Sequence, residues 1–349
     1  MRLNNYLQIR IYYCLKKALI TDGMKFLTTL LLFSFHFGCF AQLISHNPVE
    51  IGIGPISFNS KIIKKNKIKS INVVIVDKPD GEIIIDKGAG QGYEFDSLGR
   101  IIRYYYTILN FAENEVVDVP EIRRKGKIIQ AATTKKITKY YNDTIFADIY
   151  YNPQNRIITK RVKMGAYYNS YYYEYNEKGL IIKEMHFRET NVSENKNEFK
   201  LGVQNILSSE TFEYIQMTPT QVKKKCLNDE GREYKKAIIN YDNKGNVLSE
   251  NYEFIVSWMR QENVYQYDSN GNLLERTYTS NESGDVKEYT VYKYDGNAVV
   301  LEEKKFKNEV LLSEMSYLYD ETNNLLKSKI NRDHKNNSIG IVKFGYSFY

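Results

Sequence analysis

The chain has 349 residues, 49 lysines and arginines against 42 acids, 14% aromatic content and three cysteines. Setting aside residues 1–41, for the reason below, leaves 308 residues with 44 basic and 41 acidic side chains, a net +3, which gives no argument for a nucleic-acid binder, since that would call for a concentrated basic face. Cys226 is then the sole cysteine, so an intrachain disulfide is excluded and the fold must rest on burial and sheet hydrogen bonds.

The first predicted element is a targeting segment. Met24-Lys25 opens it, and Phe26 to Phe40 follow as a 15-residue run that is almost wholly apolar. That run is shorter than the roughly 20 residues of a membrane span and suits a signal peptide, with Ala41 placed for cleavage ahead of Gln42. Residues 1–23 then read as upstream read-through and 24–41 as the signal peptide. A second reading makes Cys39 a lipid-bearing N-terminus, although His36 stands where such a site wants an aliphatic residue. Either way the expected location is periplasmic, cell-surface or secreted.

Residues 42–90 are expected to hold an extended, partly loose lead-in and one β-hairpin. Within it, Lys61 to Lys69 alternate lysine with isoleucine and read as a solvated strand face. Ile71 to Val76 and Glu82 to Ile85 flank Asp77-Lys78-Pro79-Asp80-Gly81, a strand–turn–strand pattern whose β-branched runs predict burial on both faces. Gly88-Ala89-Gly90-Gln91-Gly92 lacks the Lys-Ser/Thr of a phosphate loop and reads as a flexible turn.

From residue 91 to 349 a degenerate cassette recurs: aromatic-Asp/Asn-x-x-Gly/Asn-polar-apolar-apolar. Its copies begin at Phe95, Tyr151, Tyr175, Tyr241, Tyr267, Tyr294 and Tyr319. Asp or Asn after the aromatic can bond the backbone two residues on, and Gly or Asn three residues later tolerates the left-handed backbone that closes a turn. The flanks alternate with period two, and the steps of 26, 27 and 25 residues from Tyr241 onward each hold two short strands and their connections. Asn191 to Lys200 is polar without periodicity and reads as a long loop. The predicted fold is all-β: successive antiparallel hairpins in chain order, curling into an open twisted sheet or half-barrel. A closed propeller is disfavoured, because two-stranded units do not make four-stranded blades.

These cassettes resemble the YD-repeat (RHS-type) proteins, with Tyr241 to Leu248 and Tyr267 to Leu274 matching the Tyr-Asp-x-x-Gly-Asn/Arg-Leu/Ile signature best and a worn copy at Leu227 to Arg232. The resemblance spans Tyr93 to Leu326. It implies strings of hairpins wound into sheets or shells at bacterial surfaces. The toxin-delivery role of the large members is not implied, since Ile341 to Tyr349 read as a last strand.

No catalytic, cofactor-binding or metal-ligating set emerges. His46, His186 and His334 are far apart, without His-x-x-x-His or Cys-x-x-Cys spacing, and read as surface or interstrand histidines. The repeated Asp96, Asp242, Asp268, Asp295 and Asp320 sit in turns with only one or two acids each, too few for calcium, and read as turn formers. No Gly-x-Ser-x-Gly elbow is present. Trp258 reads as core. Tyrosine is in excess, and consecutive tyrosines point to opposite faces, so Tyr171 and Tyr173 face away from Tyr172. They form either a cross-strand ladder or a ligand platform. The expected function is therefore a non-enzymatic exported repeat protein that uses no cofactor and binds a glycan or an envelope protein through an exposed aromatic sheet face. The alternatives are a carbohydrate-active enzyme with a carboxylate pair and a purely structural envelope component.

Overall fold

The structure is a computed structural model that describes residues 42–124, 127–195, 198–282, 284 and 286–349. The signal-peptide, Cys39 and Ala41 expectations therefore lie outside the described residues. One short helix, α1 (Ser60–Lys65), precedes the strands. The first six strands are β1 (Ile68–Pro79), β2 (Ile85–Phe95), β3 (Ile101–Val119), β4 (Ile122–Arg124), β5 (Lys127–Gln130) and β6 (Thr133–Tyr151). Then come β7 (Ile157–Met164), β8 (Tyr167–Tyr175), β9 (Ile181–Asn191), β10 (Leu201–Thr218), β11 (Gln221–Leu227), β12 (Glu233–Tyr241) and β13 (Val247–Phe254). The chain ends with β14 (Arg260–Tyr267), β15 (Leu273–Ser280), β16 (Val286–Tyr294), β17 (Val300–Lys307), β18 (Val310–Tyr319), β19 (Leu326–Asp333) and β20 (Ser338–Phe348).

All but β4 and β5 join one 18-stranded antiparallel sheet in which each strand pairs with its neighbours in the chain. The all-β hairpin array is thus observed, but the sheet is closed. Strand β1 pairs with β2 on one side (Ile71 opposite Tyr93) and with the last strand, β20, on the other (Ile71 opposite Tyr346). The open sheet or half-barrel is corrected to a closed β-barrel. Twist accumulates over so many strands, and closure removes the two unpaired edges that an open array would expose.

The cassettes are the hairpin turns. In Asp268 to Asn272, the Asp268 carboxylate oxygen Oδ1 accepts the N–H groups of Asn270 and Asn272, both at 2.8 Å. The Gly271 N–H donates to the Asp268 carbonyl at 3.1 Å, with Gly271 at φ 85°. Alternate connections of an antiparallel ring lie at the same rim, and all seven copies fall on one, between β2–β3, β6–β7, β8–β9, β12–β13, β14–β15, β16–β17 and β18–β19. The worn copy joins β11 to β12 at the opposite rim, called here the far rim. Most cassette tyrosines also tie their hairpin to the one before. The hydroxyls of Tyr151, Tyr267, Tyr294 and Tyr319 donate to the carbonyls of Ile101, Val247, Leu273 and Val300, at 2.8 to 2.9 Å. Those carbonyls open the return strands, beside the register shifts that follow the turns.

Several local expectations are corrected. The Lys61–Lys69 stretch is not one strand: Asn59 caps α1 by accepting the Lys61 N–H at 3.1 Å, Ile63 is buried, and β1 begins only at Ile68. The lead-in is not loose, as described below. Gly88 to Gly92 lie inside β2, where a Cβ on Gly92 would stand 2.0 Å from the Tyr105 ring, so glycine lets that ring cross the strand. In the first hairpin, Asp77 faces Ile85 across a wider turn, leaving Ile83 and Ile84 exposed, and Val74 is exposed too, so burial is one-sided. Trp258 sits on an exposed turn at φ 55° and is no core residue. The stretch expected as a loop lies between β9 and β10, and its described residues 192–195 and 198–200 carry no strand.

Candidate functional site

Residues 42–67 thread the barrel. The Gly52 carbonyl accepts Lys160 Nζ of β7 at 2.7 Å, and Glu50 meets Lys224 Nζ of β11 at 2.8 Å and the Tyr214 hydroxyl of β10. Gln42 Oε1 accepts the Val300 N–H of β17 at 3.3 Å, and His46 contacts Tyr317 of β18. Those strands occupy separate arcs of the closed ring, so one short segment can touch them all only from inside. Leu43, Ile44, Ile56 and Ile63 bury themselves there against Ile71, Tyr93, Tyr104, Val300 and Leu326. Each of these inward residues fixes the facing of its strand, because side chains alternate.

By that alternation the outer wall is charged. Lys224 reaches Glu50 inside, so Lys225 points out, 3.7 Å from Glu213. Arg103–Asp148 (2.6 Å), Lys236–Glu253 (3.0 Å) and Lys304–Glu314 (2.9 Å) are further pairs on the outer face, beside the inward Tyr104, Ala237 and Glu303.

Between the segment and β15–β19 lies a chamber of about 710 Å³. Its lining mixes apolar residues (Ile44, Pro55, Ile56, Met315) with polar and charged ones. In its lining the Tyr317 hydroxyl donates to Glu303 Oε2 at 2.7 Å. With that proton committed, the 3.2 Å contact from His46 Nε2 to the Tyr317 oxygen assigns the Nε2–H tautomer, and His46 Nδ1 accepts from Gln42 Nε2 at 3.5 Å. The imidazole also lies 4.6 Å from the Tyr292 ring. Burial pushes His46 down to about 4, with Glu303 opposing and Lys329 and Lys305 adding to the fall. Burial likewise lifts the Tyr317 and Tyr292 phenols.

Three cations line the chamber. Lys305 lies 3.6 Å from Glu303 Oε1, and Arg276 donates to Asn263 at 3.0 Å. Lys329 stands with its Nζ 5.8 Å from the Tyr317 ring centroid, and among the described residues it makes no hydrogen bond or ion pair. Burial lowers its pKa, against the pull of Glu303. Its three donors are unused among the described residues. Among the described residues no group of three His, Cys, Asp or Glu side chains is placed to hold a metal.

Tyr171 and Tyr173 are not part of this chamber. They point inward from β8: Tyr173 is 8% exposed, and Tyr171 stacks on His186 at 4.3 Å. Gln42 belongs to the site, but through its side chain. His46, read as an ordinary surface or interstrand histidine, belongs to this chamber with its side chain 10% exposed. His334 pairs with Glu314 at 3.4 Å on the outside. Glu303, Lys305 and Lys329 were missed, and the sole signal for them is the period-two placement of Glu303 and Lys305 on one face of a strand.

No family model matches the chain, and no curated protein does. Among solved structures it is similar to a porin-like protein from Bacteroides uniformis, at 10% identity and a TM-score of 0.34, covering 80% of this chain and 98% of that one. A porin-like protein from Bacteroides vulgatus gives 10% identity and 0.25, covering 58% and 94%. Both likenesses are remote. The expected carbohydrate- or partner-binding repeat protein is nevertheless overturned: the array closes on itself, and Tyr171 and Tyr173 face its interior instead of an open aromatic surface.

Proposed function

We propose that the chain is an exported, non-enzymatic barrel that holds a small amphiphilic anion, an acidic group on an apolar body, in the chamber beneath its N-terminal segment. The observation that supports this reading most is the half-buried Lys329 ammonium, without a hydrogen-bond or ion-pair partner among the described residues, in a chamber of about 710 Å³ that Lys305, Arg276 and apolar side chains also line. A volume of that order is ordinary for small-molecule sites, which pair apolar walls with a few placed polar groups. Export rests on the Met24–Ala41 pattern. A closed ring of 18 strands also raises a transmembrane pore as a competing reading. Ion pairs such as Lys236–Glu253 and Lys304–Glu314 stand against it, because a charge on a lipid-facing wall costs about 2–4 kcal/mol at mid-membrane and such barrels carry an apolar belt.

The test uses anilinonaphthalene sulfonate, an aromatic sulfonate, as the probe. The folded chain is expected to bind it with one-to-one stoichiometry, and Lys329→Met to weaken binding roughly 10-fold or more, the worth of a hydrogen bond to a charged group. Absent binding, or binding indifferent to Lys329→Met, would remove the reading. Ion conductance in planar bilayers would replace it with the pore.

A further inference from the structure

The β3–β6 hairpin is far longer than the ring needs. Strand β2 pairs with β3 only as far as Tyr106, and β7 meets β6 only from Ala147. From Ala112 opposite Tyr140 to Val119 opposite Thr133, the two strands pair only with each other. They form an arm standing out from the far rim, roughly 25 Å long at 3.3 Å per residue. A two-stranded ribbon is marginal in water by itself, so an arm of this length is suited to a surface that it meets.

Charge says which surface. Residues 127–139 contain Lys127, Lys135, Lys136 and Lys139 and no acid. Over 113–139 there are seven basic and four acidic residues, a net +3, in a processed chain whose whole net charge is +3. Two of the acids are already engaged, Glu115 by Lys139 and Glu121 by Arg123. Among the described residues Lys127, Lys135 and Lys136 have no ion-pair partner and are exposed. Beside them at the end of the arm, Ile128 and Ile129 are 54% and 61% exposed. Exposed lysines around bare aliphatic side chains fit anionic headgroups over an apolar layer. Aromatic stacking residues, which single-stranded nucleic acid would call for, are missing from 127–139. Other connections on the far rim add apolar tips: Ile83, Val256, Trp258 and Val310 are all highly exposed. They arise from separate arcs of the ring, and a broad flat surface can meet several together.

We propose that the far rim, led by the β3–β6 arm, docks on an anionic lipid surface. The barrel stays in water and the cassette rim points away from the membrane. This inference is independent of the chamber's ligand.

Flotation of the chain with phosphatidylcholine vesicles, with and without phosphatidylglycerol, tests it. Binding is expected to the anionic vesicles alone and to weaken with salt. Replacing Lys127, Lys135 and Lys136 together by glutamine should weaken it roughly 100-fold, at about 1 kcal/mol per cation. These side chains are exposed, so the melting temperature should not move. Ile128→Ser with Ile129→Ser is the second variant, and should reduce the binding that survives high salt. Failure to float with anionic vesicles, or flotation that both variants leave intact, overturns the proposal. Retention of an oligonucleotide without vesicle binding overturns it in favour of nucleic acid.

Discussion

Burial holds the His46 imidazole neutral at neutral pH, with a pKa near 4 against about 6.5 when unfolded, and this makes the chamber acid-sensitive. The unfolded chain binds more protons at this site between those values, so stability is full above pH 6.5 and declines as pH falls towards 4. The loss is about 3 kcal/mol, since each unit is worth about 1.4. His46→Gln should flatten that limb of the melting curve against pH; an unchanged slope would show that His46 does not titrate in this window. The tyrosine latches are a second feature at this scale. Tyr267→Phe, Tyr294→Phe and Tyr319→Phe each leave a strand-opening carbonyl without its donor, and each should cost about 1 kcal/mol by denaturant titration. Had the aromatic been needed only for packing, phenylalanine would cost nothing. The aromatic at the head of each cassette was legible in the sequence, but its hydroxyl's partner, some 20 residues back, was not. His46 was less legible still, because its environment depends on Tyr317, 271 residues away.

Turn chemistry is local, which is why the hairpins are legible in the sequence alone. Asp242 accepts the N–H groups of Lys244 and Asn246, and Asp268 repeats the arrangement with Asn270 and Asn272. Asp268→Ala should therefore destabilise by about 1 kcal/mol or more, as loss of a capping side chain does in helices. Gly271→Ala adds strain at φ 85°, a conformation that side chains disfavour. Calorimetry on the two variants separates these effects, and a neutral Asp268→Ala would mean that the turn is held by its backbone bonds alone. Where a segment's structure depends on what lies above it, local reading failed. Lys61 to Lys69 alternate like a strand, yet Ile63 finds a buried place on a short helix capped by Asn59. Gly88 to Gly92 look like a flexible turn until Tyr105 is seen lying across Gly92.

Closure is a property of the whole chain, and no window of the sequence contains it. Each cassette specifies that its two strands pair, whereas the seam depends on β1 meeting β20, with Val73 opposite Phe344. The interior is decided at the same scale: a ring of 18 strands encloses more space than its own side chains fill, and residues 42–67 occupy part of it. Leu43, Ile44, Ile56 and Ile63 are each less than a tenth exposed there. At about 1.5–3 kcal/mol apiece, these four side chains contribute roughly 6–12 kcal/mol, comparable to the entire stability of an ordinary domain. The segment should then be a structural part of the barrel as well as the roof of the chamber. A chain beginning at Lys67 is expected to melt far below one beginning at Gln42 and to bind anilinonaphthalene sulfonate without saturation, as an exposed interior would. Adding residues 42–66 as a separate peptide should restore both the melting point and the single site. If the shortened chain melts where the longer one does, the strands close and hold without their occupant, and the segment is a removable stopper instead of a core.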